Sequence, residues 1–141
     1  MIILDTNVIS ELIHKVPDPR VLAWAGRHRP RQLLTTAITV LELRSGAEGL
    51  ADGRRRRQLE RDIEWALDDL LGGRVLRFDR NAAYETAAWQ AHRKKAGSPV
   101  ETRDAQIAGI ALARNTPIAT RDTAHFAGLS VKVIDPWESP A

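Results

Sequence analysis

Apolar residues in this chain recur with two different periods, and the switches between them constrain the fold more than any other feature. Short apolar runs read as strands: Ile2-Ile3-Leu4, Gln32-Leu33-Leu34-Thr35-Thr36, Arg74-Val75-Leu76-Arg77-Phe78, Pro117-Ile118-Ala119-Thr120 and Val131-Lys132-Val133-Ile134. Between them, apolar residues fall three and four apart, the mark of a helix with one buried face. This predicts helices over residues 6–13, 38–50, 54–71, 81–96 and 102–114, and another that follows Pro17-Asp18-Pro19 and ends near Gly26. The clearest stripe is Leu59, Ile63, Leu67, Leu70 and Leu71, closed by Gly72-Gly73. Short apolar strands separated by helices predict an α/β fold with a parallel sheet covered on both faces. No repeat, low-complexity tract or linker divides the 141 residues, so a single domain, 1–141, is expected.

Parallel sheets of this kind bind ligands beyond the carboxyl ends of their strands, where the strand order reverses. Two acids stand there. Asp5 follows Ile2-Ile3-Leu4, and Asp122 follows Ile118-Ala119-Thr120-Arg121. Either could instead cap the helix or turn after it, with Asp5 or Thr6 as the first helix's cap. Two further acids lie within apolar helical patterns. Glu42 is flanked by Leu41 and Leu43, four residues after Ile38. Asp104 shares a helix face with Ile107 and Ala108. A carboxylate turned toward a core is costly unless it is paired or bound to a metal, so each has either an Arg partner or a function.

Composition narrows the chemistry. The chain has no cysteine, which excludes disulfides and thiolate metal sites; any metal must be held by oxygen or by its four histidines. Four converging carboxylates cannot all ionise without a counter-charge, and a hard divalent cation, Mg²⁺ or Mn²⁺, supplies one. Bases outnumber acids 21 to 18; with these four acids set aside, the rest of the chain carries +7. A basic surface around an acidic pit suits a metal enzyme acting on a phosphate backbone, and also fits a soluble protein with an Arg-rich surface. No apolar run approaches a membrane span, and Met1-Ile2-Ile3-Leu4-Asp5 opens without a basic leader, so a cytoplasmic location is expected.

The residues resemble a known family. Leu4-Asp5-Thr6-Asn7, Thr39-Val40-Leu41-Glu42-Leu43-Arg44-Ser45-Gly46, Asp104-Ala105-Gln106-Ile107-Ala108 and Thr120-Arg121-Asp122-Thr123-Ala124-His125-Phe126 occur in the order and spacing of PIN-domain ribonucleases. The likeness is to the VapC and FitB-like toxins of type II toxin–antitoxin pairs. It runs essentially end to end, and Val133-Ile134-Asp135-Pro136-Trp137 looks like the family's terminal strand. The resemblance implies a three-layer α/β/α sandwich on a central parallel five-stranded sheet, and Mg²⁺- or Mn²⁺-dependent cleavage of RNA phosphodiesters by an activated water. Asp5 and Asp104 match the family's principal metal ligands, and Glu42 and Asp122 its second pair of acids. Thr6 and Thr120 match hydroxyl positions that orient the carboxylates. Similar proteins form dimers and are inhibited by a co-encoded VapB- or FitA-like antitoxin. The antitoxin's C-terminal segment lies across the site, and such complexes can assemble further and bind operator DNA.

Candidate RNA contacts are Arg54 and Arg55, in the run Arg54-Arg55-Arg56-Arg57, and Arg103 beside Asp104. Consecutive arginines fan around a helix and cannot all face one groove, so a solvated helix start is the plainer account of that run. Trp24, Trp65 and Trp89 fall on helices and read as core or dimer contacts, and His125 is not assigned a catalytic role. The rival to an endoribonuclease is a catalytically weak PIN-like module that binds RNA or an antitoxin without turnover. A haloacid dehalogenase-type phosphatase also begins with a strand-end Asp, but it needs a second Asp where this chain has Asn7.

Overall fold

The computed structural model describes residues 1–138; the last three residues of the expected 1–141 domain lie outside that range. In chain order the strands are β1 (Ile2–Leu4), β2 (Leu33–Thr36), β3 (Val75–Leu76), β4 (Ile118–Ala119) and β5 (Val133–Ile134). The helices are α1 (Thr6–Leu12), α2 (Pro19–Gly26), α3 (Ala37–Glu48), α4 (Arg54–Trp65), α5 (Arg80–Lys95) and α6 (Thr102–Arg114). The strands form one all-parallel sheet in the order β3-β2-β1-β4-β5. β1 therefore sits at the centre, pairing Ile2 with Leu33 on one side and Leu4 with Ala119 on the other. The chain leaves β1 toward β2 and returns to its opposite side as β4, so the strand order reverses beside β1.

Successive side chains of a strand point to opposite faces, and this divides the core. Ile2, Leu4, Leu33 and Ala119 face one side and pack with Val8, Ile9, Val21, Trp24, Leu43 and Ile63 of α1–α4. Ile3, Leu34 and Ile118 face the other and pack with α5 and α6 through Trp89, Ile107 and Ile110. Ile3, Leu4, Ile107 and Ile118 are wholly buried, and each such side chain stabilises the fold by about 1.5–3 kcal/mol relative to exposure. α5 and α6 approach so closely at Gly109 that a Cβ there would lie 2.6 Å from the Ala82 carbonyl oxygen.

Helix starts follow the capping chemistry in the sequence. Asp18 accepts from the Arg20 amide with Pro19 in the first turn, Thr36 accepts from the Thr39 amide, and Asp79 accepts from the Ala82 amide. Five predicted elements are trimmed or altered. The strands expected at 74–78, 117–120 and 131–134 contract to two residues each, although Arg74, Pro117, Thr120 and Lys132 beside them still hydrogen-bond to neighbouring strands. The helix expected over 54–71 is α-helical only to Trp65. Residues 66–70 widen into a π-helical turn, with the Leu71 amide donating to the Ala66 carbonyl at 2.9 Å. The terminal segment is a strand only to Ile134; Pro136–Glu138 form a 3-10 turn that buries Trp137 against α2. Trp24 and Trp89 are core residues, whereas Trp65 is half exposed. Among the described residues no helix is long and apolar enough to cross a membrane.

Candidate active site

The reversal of strand order beside β1 opens a cleft of about 540 Å³ at the carboxyl edge of the sheet. Asp5, Glu42, Asp104 and Asp122 all line it. They come from the end of β1, the second turn of α3, the first turn of α6 and the loop after β4, so residues up to 117 positions apart in sequence meet at one place.

Asp5 serves as both cap and site residue. Its Oδ1 accepts from the Thr6 amide at 2.8 Å, which starts α1, and its Oδ2 accepts from the Thr120 hydroxyl at 2.7 Å. Asp5 is 4 % exposed and Thr120 is fully buried. Burial pushes the Asp5 carboxyl up to about 6; the Thr120 hydroxyl and Thr6 amide pull it down, and the charges of Asp104 and Glu42 push it up again.

The other three acids each have a partner of their own, and in no case is it an Arg. Glu42 Oε1 accepts from the Thr6 hydroxyl at 2.7 Å. Arg44, its neighbour in sequence, turns instead to Glu48 and Glu60. Asp104 Oδ2 lies 2.8 Å from His125 Nδ1; burial raises the Asp104 carboxyl, and the His125 charge opposes that rise. Asp122 is exposed and accepts from the Asn7 side-chain amide at 3.1 Å. It stands at the N-cap position of the 3-10 turn at Thr123–Phe126, but its side chain makes no capping hydrogen bond there.

Two residues that sequence reasoning left without a site role organise the cleft. Asn7 donates from Nδ2 to Asp122 and to the Thr120 hydroxyl at 3.3 Å, and its Oδ1 accepts from the Arg121 amide at 3.2 Å, so it ties α1 to the loop after β4. His125 tethers Asp104, and its own carbonyl is held at 2.8 Å by Nη1 of the buried Arg93. Thr6 and Thr120 each donate a hydroxyl hydrogen bond to a carboxylate, Glu42 and Asp5 respectively.

The arginine candidates do not join this cluster. Arg54 and Arg55 are exposed at the start of α4 and line a separate groove with Gly46, Leu50 and Leu59. Gly46 and Leu59 also line an intermediate groove that shares Thr6 and Glu42 with the acidic cleft, so the three form a continuous series. Arg56, from the same run, braces α4 to α3 through Glu48 at 2.6 Å and Asp52 at 3.2 Å. Arg103 is half-buried on α6 outside the cleft lining.

Among the described residues no three His, Asp or Glu side chains already stand in metal-holding geometry. Thr6 bonds Glu42, His125 bonds Asp104, and Asn7 reaches both Asp5 and Asp122. The donor set nonetheless fits a hard divalent cation. It is all oxygen and negatively charged, and it surrounds a buried Asp5 whose carboxyl is pushed up chiefly by burial and further by Asp104 and Glu42. Asp5 has no Lys or Arg ion-pair partner among the described residues.

An all-parallel α/β domain with four acids gathered at the reversal of its strand order is the class that fold and cleft define. The PIN domain family model matches residues 2–131. VapC ribonuclease Y4jK of Sinorhizobium fredii is 41 % identical over 138 residues, covering 98 % of this chain and 99 % of that protein. Toxin FitB of Neisseria gonorrhoeae is 37 % identical over 137 residues, covering 97 % of this chain and 99 % of its own length. The solved structure of FitAB bound to an IR36 DNA fragment superimposes with a TM-score of 0.89 at 35 % identity, over 100 % of this chain and 99 % of that one. The chain belongs to the PIN-domain family, in its VapC and FitB-like branch.

Proposed function

We propose that this protein is a metal-dependent endoribonuclease and the toxin of a type II toxin–antitoxin pair. The observation that carries the reading is the buried Asp5 carboxylate, raised to about 6 with Asp104 and Glu42 as like-charged neighbours and no cationic side chain paired to it. Such a cluster is stable at neutral pH only with a counter-charge.

Asp5 and Asp104 would hold Mg²⁺ or Mn²⁺, with Glu42 and Asp122 completing the acidic wall. The bound ion would supply charge neutralisation at the phosphate and a lowered pKa for a bound water. Thr120 and Thr6 fix the orientations of Asp5 and Glu42 through single short hydrogen bonds. Asp122, exposed at the mouth and held by Asn7, takes up the proton of the attacking water as a new P–O bond forms and the bond to the leaving sugar oxygen breaks, that oxygen taking a proton from solvent.

The partners follow from the family. A VapB- or FitA-like antitoxin covers the cleft, its C-terminal segment lying along the grooves that lead from Glu42 toward Arg54 and Arg55. The protein acts in the cytoplasm as a homodimer, and with antitoxin forms a larger assembly that binds operator DNA. Arg54, Arg55 and Arg103 add a basic approach for RNA.

One assay tests this reading: cleavage of single-stranded RNA by purified protein with Mn²⁺, with EDTA, and with Asp5→Asn or Asp104→Asn. Cleavage in Mn²⁺ alone, abolished by EDTA and strongly slowed by either substitution in folded protein, is expected. Cleavage that persists in EDTA contradicts it. A second reading, a binding module without turnover, is favoured by the separate tethering of each acid. It requires RNA binding with no cleavage at any Mn²⁺ concentration.

A further inference from the structure

Arg121 lies between Thr120 and Asp122, and neither composition nor motif spacing assigned it a role. Of the Lys and Arg side chains among the described residues, it is the one that lines the acidic cleft. Its backbone is fixed, since its amide donates to Asn7 Oδ1 at 3.2 Å. Its side chain is exposed, and the guanidinium carbon sits 5.1 Å from the centre of the Trp137 ring, which is itself buried.

A cation beside so many acids would be expected to pair with one. Arg121 does not: among the described residues it makes no ion pair, and its charge reaches Asp18 only as a weak, longer-range influence. At 5.1 Å the Trp137 contact is a cation–π one, and among the described residues no ion pair occupies the edge of the guanidinium. That edge is a planar fork of five N–H donors, the geometry that matches the oxygens of a phosphate. The acids of the cleft repel an incoming polyanion, so a single free fork at their rim has a defined task.

We propose that Arg121 is the substrate-positioning residue of this cleft, gripping a backbone phosphate of single-stranded RNA from its seat on Trp137. The inference rests on the ribonuclease reading above and deepens it. It places the closest phosphate contact at the end of β4, in the cleft itself, whereas Arg54, Arg55 and Arg103 stand outside.

The test is the salt dependence of binding, which counts phosphate contacts directly. The full chain carrying Asp5→Asn, to prevent cleavage, is titrated against a fluorescein-labelled single-stranded RNA by anisotropy over a KCl series at fixed MgCl₂. Adding Arg121→Gln weakens binding several-fold, and the slope of log K against log salt becomes shallower by about 0.7, the loss of one phosphate contact on a single strand. Arg121→Lys keeps the charge and hence the parent slope, but not the full affinity. An unchanged slope in Arg121→Gln, with the parent binding normally, overturns this assignment alone. A parent that binds no RNA at any salt concentration overturns the ribonuclease reading and this assignment with it.

Discussion

The Thr120 hydroxyl donates to Asp5 Oδ2 at 2.7 Å across the central strand pair, joining the end of β4 to the end of β1. The same hydroxyl oxygen accepts from the Asp122 amide at 3.0 Å and from the Asn7 side chain at 3.3 Å. Thr120→Val keeps the shape and removes all three contacts. It should destabilise the protein by about 1–3 kcal/mol, the cost of leaving buried polar groups unpaired. It should also weaken Mn²⁺ binding about 10–100-fold, as loss of a ligand-orienting group does. Calorimetric titration of folded Thr120→Val with Mn²⁺ measures the second effect separately from the first.

The raised Asp5 carboxyl makes stability depend on pH. The folded protein holds that proton up to about 6, while the unfolded chain releases it near 3.8. Stability from this group is therefore full below 3.8 and falls as pH rises toward 6, by about 2–3 kcal/mol in total. In EDTA, Asp5→Asn should melt several degrees above the parent at about pH 8, and the gain should vanish near pH 4. Adding Mn²⁺ should reverse the order, since the ion stabilises only the chain that binds it. Equal melting temperatures in EDTA at high pH would contradict the burial argument.

Arg93 reaches the site only through the backbone. Its Nε and Nη1 donate to the Ser98 and His125 carbonyls, both at 2.8 Å, and its guanidinium lies over Trp89. Arg93→Met preserves the bulk and leaves both carbonyls unpaired, a loss of about 2–4 kcal/mol. Urea unfolding should show a lower midpoint at unchanged m. Arg93→Lys should recover part of that loss. A midpoint equal to the parent's would mean that the His125 turn stands without this brace.

What the sequence disclosed and what it concealed divide along the range of the interactions. Ile2-Ile3-Leu4 was legible because a short all-apolar run that stops at an acid marks a strand covered on both faces, and Asp5 because a strand end is a local feature. Glu42 and Asp104 stood out because a charge among apolar helix neighbours is costly to bury without a partner. The π-helical turn at Ala66–Leu70 left no trace, since its apolar residues satisfy an α-helical pattern equally well. Asn7 and His125 stayed hidden for a different reason. Asn7 acts on residues 113–115 positions away, and His125 on a carboxylate of another element, and a single polar residue carries no periodicity that announces such a partner. Arg54 and Arg55 drew attention as a charge run, but a run marks composition, while the Arg121 at the cleft is an isolated cation placed there by the fold.

The central claim is that Asp5, Glu42, Asp104 and Asp122 act as one metal-dependent unit. Its most direct test is single-turnover RNA cleavage in Mn²⁺ by Asp5→Asn, Asp104→Asn and the double variant, each shown to be folded. Groups that act as a unit are strongly non-additive, so the double variant should cleave no more slowly than the worse single one. Losses that multiply in the double variant, or cleavage at the parent rate by either single variant, would contradict that claim.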